Sequence, residues 1–292
     1  MHSHRHDDSG RLRLALVLTA SFFSVELVGG WLANSLALLS DAAHMFTDVV
    51  ALSLALLALW IAGRPPSESK TFGYTRAEIL AALVNALALC LVVFWIAREA
   101  YGRLSAPPAV NSGLMTTVAA VGLAVNAVCA WLLRPRQGSG LGQRAAFLHV
   151  LSDLLGSVGA ITAGIVILAT GWYEADAVAA FFIGMLVLAG AWGVIREAVD
   201  ILMESVPSHI DLERLRAELE AIPGTERLHD LHVWTLTPGH YALSAHAVID
   251  GSVDGEDILG QMRTVLAARF GIDHVTIQLE QAVPCEPRSV HA

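Results

Sequence analysis

LALLSDAAHMFTDVVALSLALLALWIA, residues 36–62, decides the fold. A helix crosses the hydrocarbon core of a bilayer with roughly 20 predominantly apolar residues, and this run is long enough. Its only ionisable side chains are Asp41, His44 and Asp48. A second apolar run, residues 145–170, carries only His149 and Asp153. Both thus contain the pattern H-x-x-x-D. An ionisable group at bilayer depth is costly and rare, and it marks a functional site by default. Two imidazoles and two carboxylates supply a tetrahedral N2O2 ligand set, which suits Zn2+ at neutral pH.

The composition agrees with a membrane protein. Apolar residues make up 55% of the 292-residue chain and charged ones 15%, with a mean hydropathy of +0.57. The net charge of -9 is unevenly spread. From Glu204 onward there are 14 acidic and 6 basic residues. Such an acidic tail disfavours nucleic acid and concentrates cations. Cys90, Cys129 and Cys285 are scattered without a C-x-x-C pair, so neither a disulfide framework nor a thiolate zinc site is indicated. No removable signal peptide is read at the N-terminus.

Six runs are expected to span the membrane, at about 12–33, 36–62, 77–100, 112–133, 145–170 and 175–200. They are separated at Asn34-Ser35, Gly63-Arg64-Pro65-Pro66, Pro107-Pro108, Arg134-Pro135 and Gly171. Arg5, Arg11 and Arg13, then Arg64, Lys70 and Arg76, then Arg134, Arg136 and Arg144 fall on one side; the opposite loops hold Arg98 and Arg103. The positive-inside rule puts both termini in the cytoplasm. The chain divides into a His-containing segment 1–11, a six-helix membrane domain 12–203 and a cytoplasmic domain 204–292. In the tail, Ser208 is expected to cap a helix through Glu220. Strands are expected at Leu228–Thr237 and His240–Asp250 around Pro238-Gly239. A helical stripe (Ile258, Met262, Val265, Leu266) ends at Gly271, and a strand follows at His274–Glu280 with Val275, Ile277 and Leu279 on one face. The order α-β-β-α-β fits a ferredoxin-like α/β sandwich lacking one strand.

A spacing of four turns a helix by 400°, so each His and its Asp share one face, ~6 Å apart along the axis. His44 and Asp48 fall roughly 12 and 18 Å from the start of their run, and His149 and Asp153 roughly 8 and 14 Å from theirs. Both pairs therefore bracket the bilayer midplane, and four ligands converge if helices 2 and 5 are neighbours. Helices 2 and 5 also hold equivalent places in two oppositely oriented three-helix halves, as an inverted repeat requires. Metal ligation needs neutral imidazole and ionised carboxylate, so metal and protons compete for the site. Histidine titrates near neutral pH, which makes His44 and His149 the expected proton carriers. Asp41 shares the His44 face and is either a gate or proton acceptor, or a helix cap. Glu26, Asn85, Asn126 and Asp176 are expected to make packing hydrogen bonds. Gly156, Gly159, Ala160 and Gly164 suit close helix packing.

The chain resembles the cation diffusion facilitators, the zinc-transporter family, over almost its whole length. The likeness rests on Ser40-Asp41-Ala42-Ala43-His44-Met45-Phe46-Thr47-Asp48, on Thr71-Phe72-Gly73-Tyr74-Thr75-Arg76-Ala77-Glu78 and on Leu148-His149-Val150-Leu151-Ser152-Asp153. The tail adds His229-Asp230-Leu231-His232-Val233-Trp234, Ser244-Ala245-His246 and His274-Val275-Thr276-Ile277-Gln278-Leu279-Glu280. The resemblance implies a homodimer that exports metal from the cytoplasm in exchange for protons, through the cell (inner) membrane, with a metal-responsive cytoplasmic domain. A His at the place of His44 goes in that family with zinc-type selectivity. The resemblance also implies a tail metal site at His229, His246 and Glu280, with His232 beside it; Gln278 stands where some members place a ligand His. Ser67, Lys70 and Tyr74 occupy the places of a further loop site, and none is expected here. His2, His4 and His6 either capture zinc weakly or are dispensable.

Two other function classes are weighed. An intramembrane metalloenzyme needs an open coordination position and a base, as in H-E-x-x-H, and that motif is absent. A passive cation channel favours rings of weak sites over one tight site. The expected cargo is Zn2+, with a regulatory Zn2+ in the tail, protons as counter-ion, lipid as surroundings and no organic cofactor.

Overall fold

The computed structural model describes residues 3–62, 64–134 and 141–281; within its helices the side chains of residues 3–16, 19, 48, 51–52, 55–56, 58–59, 62, 141–146 and 148–149 lie outside the description. Six long helices come first: α1 (Ser3–Ala33), α2 (Leu36–Ala62), α3 (Ala77–Ser105), α4 (Ser112–Leu133), α5 (Leu141–Thr170) and α6 (Glu174–Leu202). After them come α7 (Leu212–Glu220), β1 (Thr225–Thr237), β2 (His240–Ile249), α8 (Gly255–Val265) and β3 (Ile272–Gln281). Helix α1 begins within the segment read as preceding the first apolar run. Among the described residues, Ala77–Ser105, Ser112–Leu133, Val150–Thr170 and Glu174–Leu202 are long and apolar enough to cross a membrane, and Ala20–Ala33 is a shorter apolar helix.

The chain forms two units: Met1–Leu56 with Ala82–Ile195, and Leu57–Ala81 with Arg196–Ala292. In the first, Phe22, Leu36, Leu38, Met45, Ile96 and Met115 belong to one buried cluster, while Trp31, Leu91, Phe94, Trp131 and Trp192 are exposed. A surface this apolar suits lipid rather than water. Helix α4 packs against α1 and α5. Gly122 makes room for the Phe22 ring, since a Cβ there would lie 2.7 Å from it, and Gly164 approaches Thr116 closely.

The break between α1 and α2 is held by distant residues. Asn34 takes the left-handed conformation at φ 54°. The buried Asp176 at the start of α6 accepts hydrogen bonds from Ser35 Oγ (2.6 Å), Leu36 N (2.6 Å) and Ala37 N (3.1 Å). A carboxylate there satisfies amides that have no partner inside the helix and meets the positive end of the helix dipole. Arg103 donates to the Asn34 carbonyl at 2.8 Å and lies 3.7 Å from Asp176. The cap of α2 is therefore Asp176 together with Ser35, whose Oγ accepts from Leu38 N. This corrects the alternative that made Asp41 a cap.

In the second unit the sheet order is β1-β2-β3. Strands β1 and β2 are antiparallel across Pro238-Gly239, and β2 and β3 are parallel. Leu215 and Leu219 of α7, Ile258 and Met262 of α8, and Leu228, Val233 and Leu243 of the sheet share one core. The expected Ser208 cap is overturned. Ile210 N donates to Pro207 O in a turn, leaving Asp211 extended, and its carboxylate accepts from Glu213 N and Arg214 N. Helix α8 runs into a π turn, Leu266–Phe270, closed by left-handed Gly271. Arg76 pairs with Glu204 at 2.9 Å, and Lys70 Nζ lies 5.3 Å from the Tyr74 ring.

Candidate metal centres

The helical register brings one member of each H-x-x-x-D pair together. His44 Nε2 lies 3.6 Å from Asp153 Oδ1, with both side chains largely buried. One turn away, Gly156 of α5 faces Asp41 of α2: a Cβ on Gly156 would sit 3.1 Å from Asp41 Oδ1. A step of -3 on α2 thus matches a step of +3 on α5. The two helices run antiparallel there, as the depth argument required. The backbones of Asp48 and His149 belong to α2 and α5, but their side chains lie outside the described residues.

Of the lone polar residues in the apolar runs, two behave as expected. Asp176 caps α2, and Asn126 Nδ2 donates to Ser157 Oγ at 3.5 Å. The other two do not: neither oxygen of an ionised Glu26 carboxylate, nor Asn85 Oδ1, finds a hydrogen-bond donor among the described residues. The expectation of a packing hydrogen bond thus fails for Asn85 Oδ1, whereas Glu26 has the Asp41 carboxyl as its hydrogen-bonding neighbour.

The tail cluster is built on one face of the sheet. His229 and His246 are direct cross-strand partners, with ring centroids 5.1 Å apart. Glu280, from β3 on the other side of β2, reaches both: Oε2 lies 3.0 Å from His229 Nε2 and Oε1 lies 2.8 Å from His246 Nδ1. One nitrogen from each ring and one carboxylate oxygen fall within 4.8 Å of one another. That donor set is one that zinc accepts. Gln278 Nε2 donates to Glu280 Oε1 at 3.1 Å and orients the carboxylate.

His232 stands apart from this trio. Its Nε2 contacts Asp230 Oδ1 at 2.9 Å. Strand β1 advances three residues, His229 to His232, while β2 retreats two, His246 to Ser244. The extra residue is a bulge. Asp230 absorbs it at φ 51°, which turns its carboxylate toward His232 and to 3.9 Å from His246 Nε2. The hydrogen bond to His232, followed by the charges of His232, His246 and His229 when protonated, holds Asp230 below the usual carboxylate range. Asp230 was not among the expected site residues. Its signal was present, since apolar Leu228, Leu231 and Val233 break strand alternation at this residue.

A family model described as the cation efflux transmembrane domain matches residues 12–203, and one described as the cytoplasmic domain of cation efflux proteins matches residues 207–282. The cation efflux system protein CzcD of Alcaligenes is 46% identical over 288 residues, covering 98% of this chain and 91% of its own. A cadmium, cobalt and zinc/H(+)-K(+) antiporter of Bacillus subtilis is 40% identical over 300 residues, covering 98% and 96%. The zinc transporter ZitB of Escherichia coli is 40% identical over 300 residues, covering 99% and 95%. With both halves matched and relatives this similar end to end, the chain belongs to the cation efflux, or cation diffusion facilitator, family of integral membrane transporters and is not an enzyme.

Proposed function

We propose that this protein exports divalent metal, Zn2+ foremost, from the cytoplasm in exchange for protons. Its transport centre is taken to be His44, Asp48, His149 and Asp153. The observation that carries this reading is the 3.6 Å approach of His44 to Asp153 between antiparallel α2 and α5. Asp48 and His149 follow from the helical repeat, each on the same face as its partner and one turn away. Relatives described as zinc transporters and as an antiporter, at 40% identity, support the cargo and the counter-ion.

Exchange follows from the ligand chemistry. Zinc takes neutral imidazole and ionised carboxylate, so its arrival displaces protons and proton arrival displaces it. An inward proton gradient then drives the metal outward. All six long helices are read as spans, with both termini cytoplasmic. The α-β-β-α-β tail is read as a ferredoxin-like sandwich in which the place of the missing strand has closed, so that β2 and β3 pair directly. Two chains are read as a homodimer, with His229, His246 and Glu280 as a regulatory zinc site and with Asp230 and His232 at its edge.

Purified protein in sealed liposomes with an imposed pH gradient tests the reading. Zinc flux should saturate, follow the gradient, and be lost in Asp48→Ala and Asp153→Ala while both variants remain folded dimers. Flux near the wild-type rate in either variant would remove the proposed centre. Flux that neither saturates nor responds to the gradient would indicate a channel.

A further inference from the structure

Glu26, on α1, is 1% exposed. When it is ionised, neither of its carboxylate oxygens has a hydrogen-bond donor among the described residues. Among the described residues, two more carboxylates act on it, Asp41 (3% exposed) and Asp153 (5% exposed). A buried carboxyl group is tolerated when it is protonated, hydrogen-bonded, paired with a cation or coordinated to metal. Three such groups facing one another, with Glu26 and Asp41 close enough to share a hydrogen bond, repel when ionised unless a proton or a positive ion lies among them.

The surroundings fit a built position. Asp41 is released from capping, since Asp176 and Ser35 serve the α2 terminus. Gly156, lacking a side chain, leaves the room that the Asp41 carboxylate fills. At 1.5 Å per residue, Asp41 lies about 4.5 Å along α2 from His44, toward Leu36. Gly156 matches that step on α5.

We propose that Glu26 and Asp41, sharing Asp153, form a second divalent-cation subsite, made of oxygen ligands only, one helical turn from the His44–Asp153 contact. The cation passes into it on its way toward the Ala33–Leu36 end of the helices. Carboxylates bind zinc-type ions less firmly than imidazoles do and accept harder ions, which makes the subsite a place of release. Asp153 stays bound as the ion exchanges nitrogen ligands for oxygen ones, so the ion is never bare in the dry interior. This inference rests on the transport reading for its place on the path, but the binding it claims does not.

The test has two arms on the full-length protein in lipid nanodiscs or liposomes. In a background of His44→Ala, His229→Ala and His246→Ala, Mn2+ binding is followed by electron paramagnetic resonance. One Mn2+ per protomer should bind and should weaken at least ~tenfold on adding Glu26→Gln, since losing even an outer-shell partner of a metal ligand costs about that much. In the otherwise unaltered chain, Glu26→Gln should slow zinc flux at least ~tenfold while equilibrium zinc affinity changes less than about threefold, because the four-ligand centre stays intact. Glu26→Asp, which keeps the carboxylate, should recover part of that flux; should Glu26→Gln fail to fold, the same comparison is made between Glu26→Asp and Asp41→Asn. Equal Mn2+ affinity with and without Glu26 overturns the subsite, even if flux falls, and leaves Glu26 as a proton carrier. Wild-type flux in Glu26→Gln overturns its place on the path. Wild-type flux in Asp153→Ala overturns the transport centre instead and leaves the Mn2+ result standing.

Discussion

At the scale of single residues, chemistry that stands out against an apolar background was legible, and chemistry set by distant neighbours was not. His44 and Asp153 announce themselves because their runs hold so few ionisable residues, Asp41 and Asp48 beside the one and His149 beside the other, and the structure brings them to 3.6 Å. Exchanging His44 for Asp should shift the centre toward oxygen ligation and admit Mn2+; side-by-side flux of Mn2+ and Zn2+ checks this, and an unchanged preference counts against ligand identity as the selector. Glu26 read as a packing residue, because its carboxylate neighbours lie on α2 and α5 and no local spacing points to them. Asp230 was missed although the phase slip from Leu228 to Leu231 shows in the sequence. Its carboxyl, ordinarily near 3.9, is held lower, chiefly by His232. A depressed carboxylate stabilises the fold above its unfolded value, and that stability is lost as pH falls through the lower folded value. Acid unfolding of the tail below about pH 4 should therefore lose one contribution in Asp230→Asn, giving a flatter stability profile than the wild type by circular dichroism.

Elements were read well where hydrophobic period and punctuation agree. The α2 range is the one expected, and Gly271 ends its helix in the left-handed conformation that only glycine adopts without strain. Ends were less legible, because two good caps compete within a few residues. Ser208 and Asp211 both qualify by type, and the turn from Pro207 to Ile210 gives the place to Asp211. Of the α2 cap only Ser35 is a local signal, since its other half, Asp176, lies about 140 residues away. Helix α5 offers a contrast between two of its glycines. Gly156→Ala would put a methyl 3.1 Å from Asp41 Oδ1, whereas Gly159→Ala meets only Ile183 Cγ1 at 4.0 Å. Zinc flux in liposomes should fall several-fold more in Gly156→Ala than in Gly159→Ala, a gap of roughly 1 kcal/mol in barrier. Melting temperatures should separate this from a general loss of packing: both variants are expected to stay near the wild type.

For the molecule as a whole, composition was the most legible property. The contrast between an apolar first part and an acidic tail anticipates two units with separate hydrophobic cores. What the pairing of two chains adds rests on charge. Two tails brought together, each with 14 acidic and 6 basic residues from Glu204 onward, would repel one another, and a divalent cation at the proposed His229, His246 and Glu280 site would reduce that repulsion. Zinc added to a fragment spanning residues 207–292 should bind and draw two copies together, as read by calorimetry and small-angle scattering. Binding without compaction or dimerisation would leave the site without a role in association.

Asp176 grips the first turn of α2, and Arg103 braces that grip from α3. Such a clamp makes the Leu36 end of the helix a fulcrum. A tilt of about 10° about it would carry His44, roughly 12 Å away, through only ~2 Å, while the Ala62 end, roughly 39 Å away, swings ~7 Å. A lever of this kind would throw its far end wide while His44, near the pivot, scarcely leaves Asp153. Paired spin labels at Leu57 and Leu38, each referred to α5, should show the larger change at Leu57 when zinc is added, and Asp176→Ala should erase the difference by freeing the pivot.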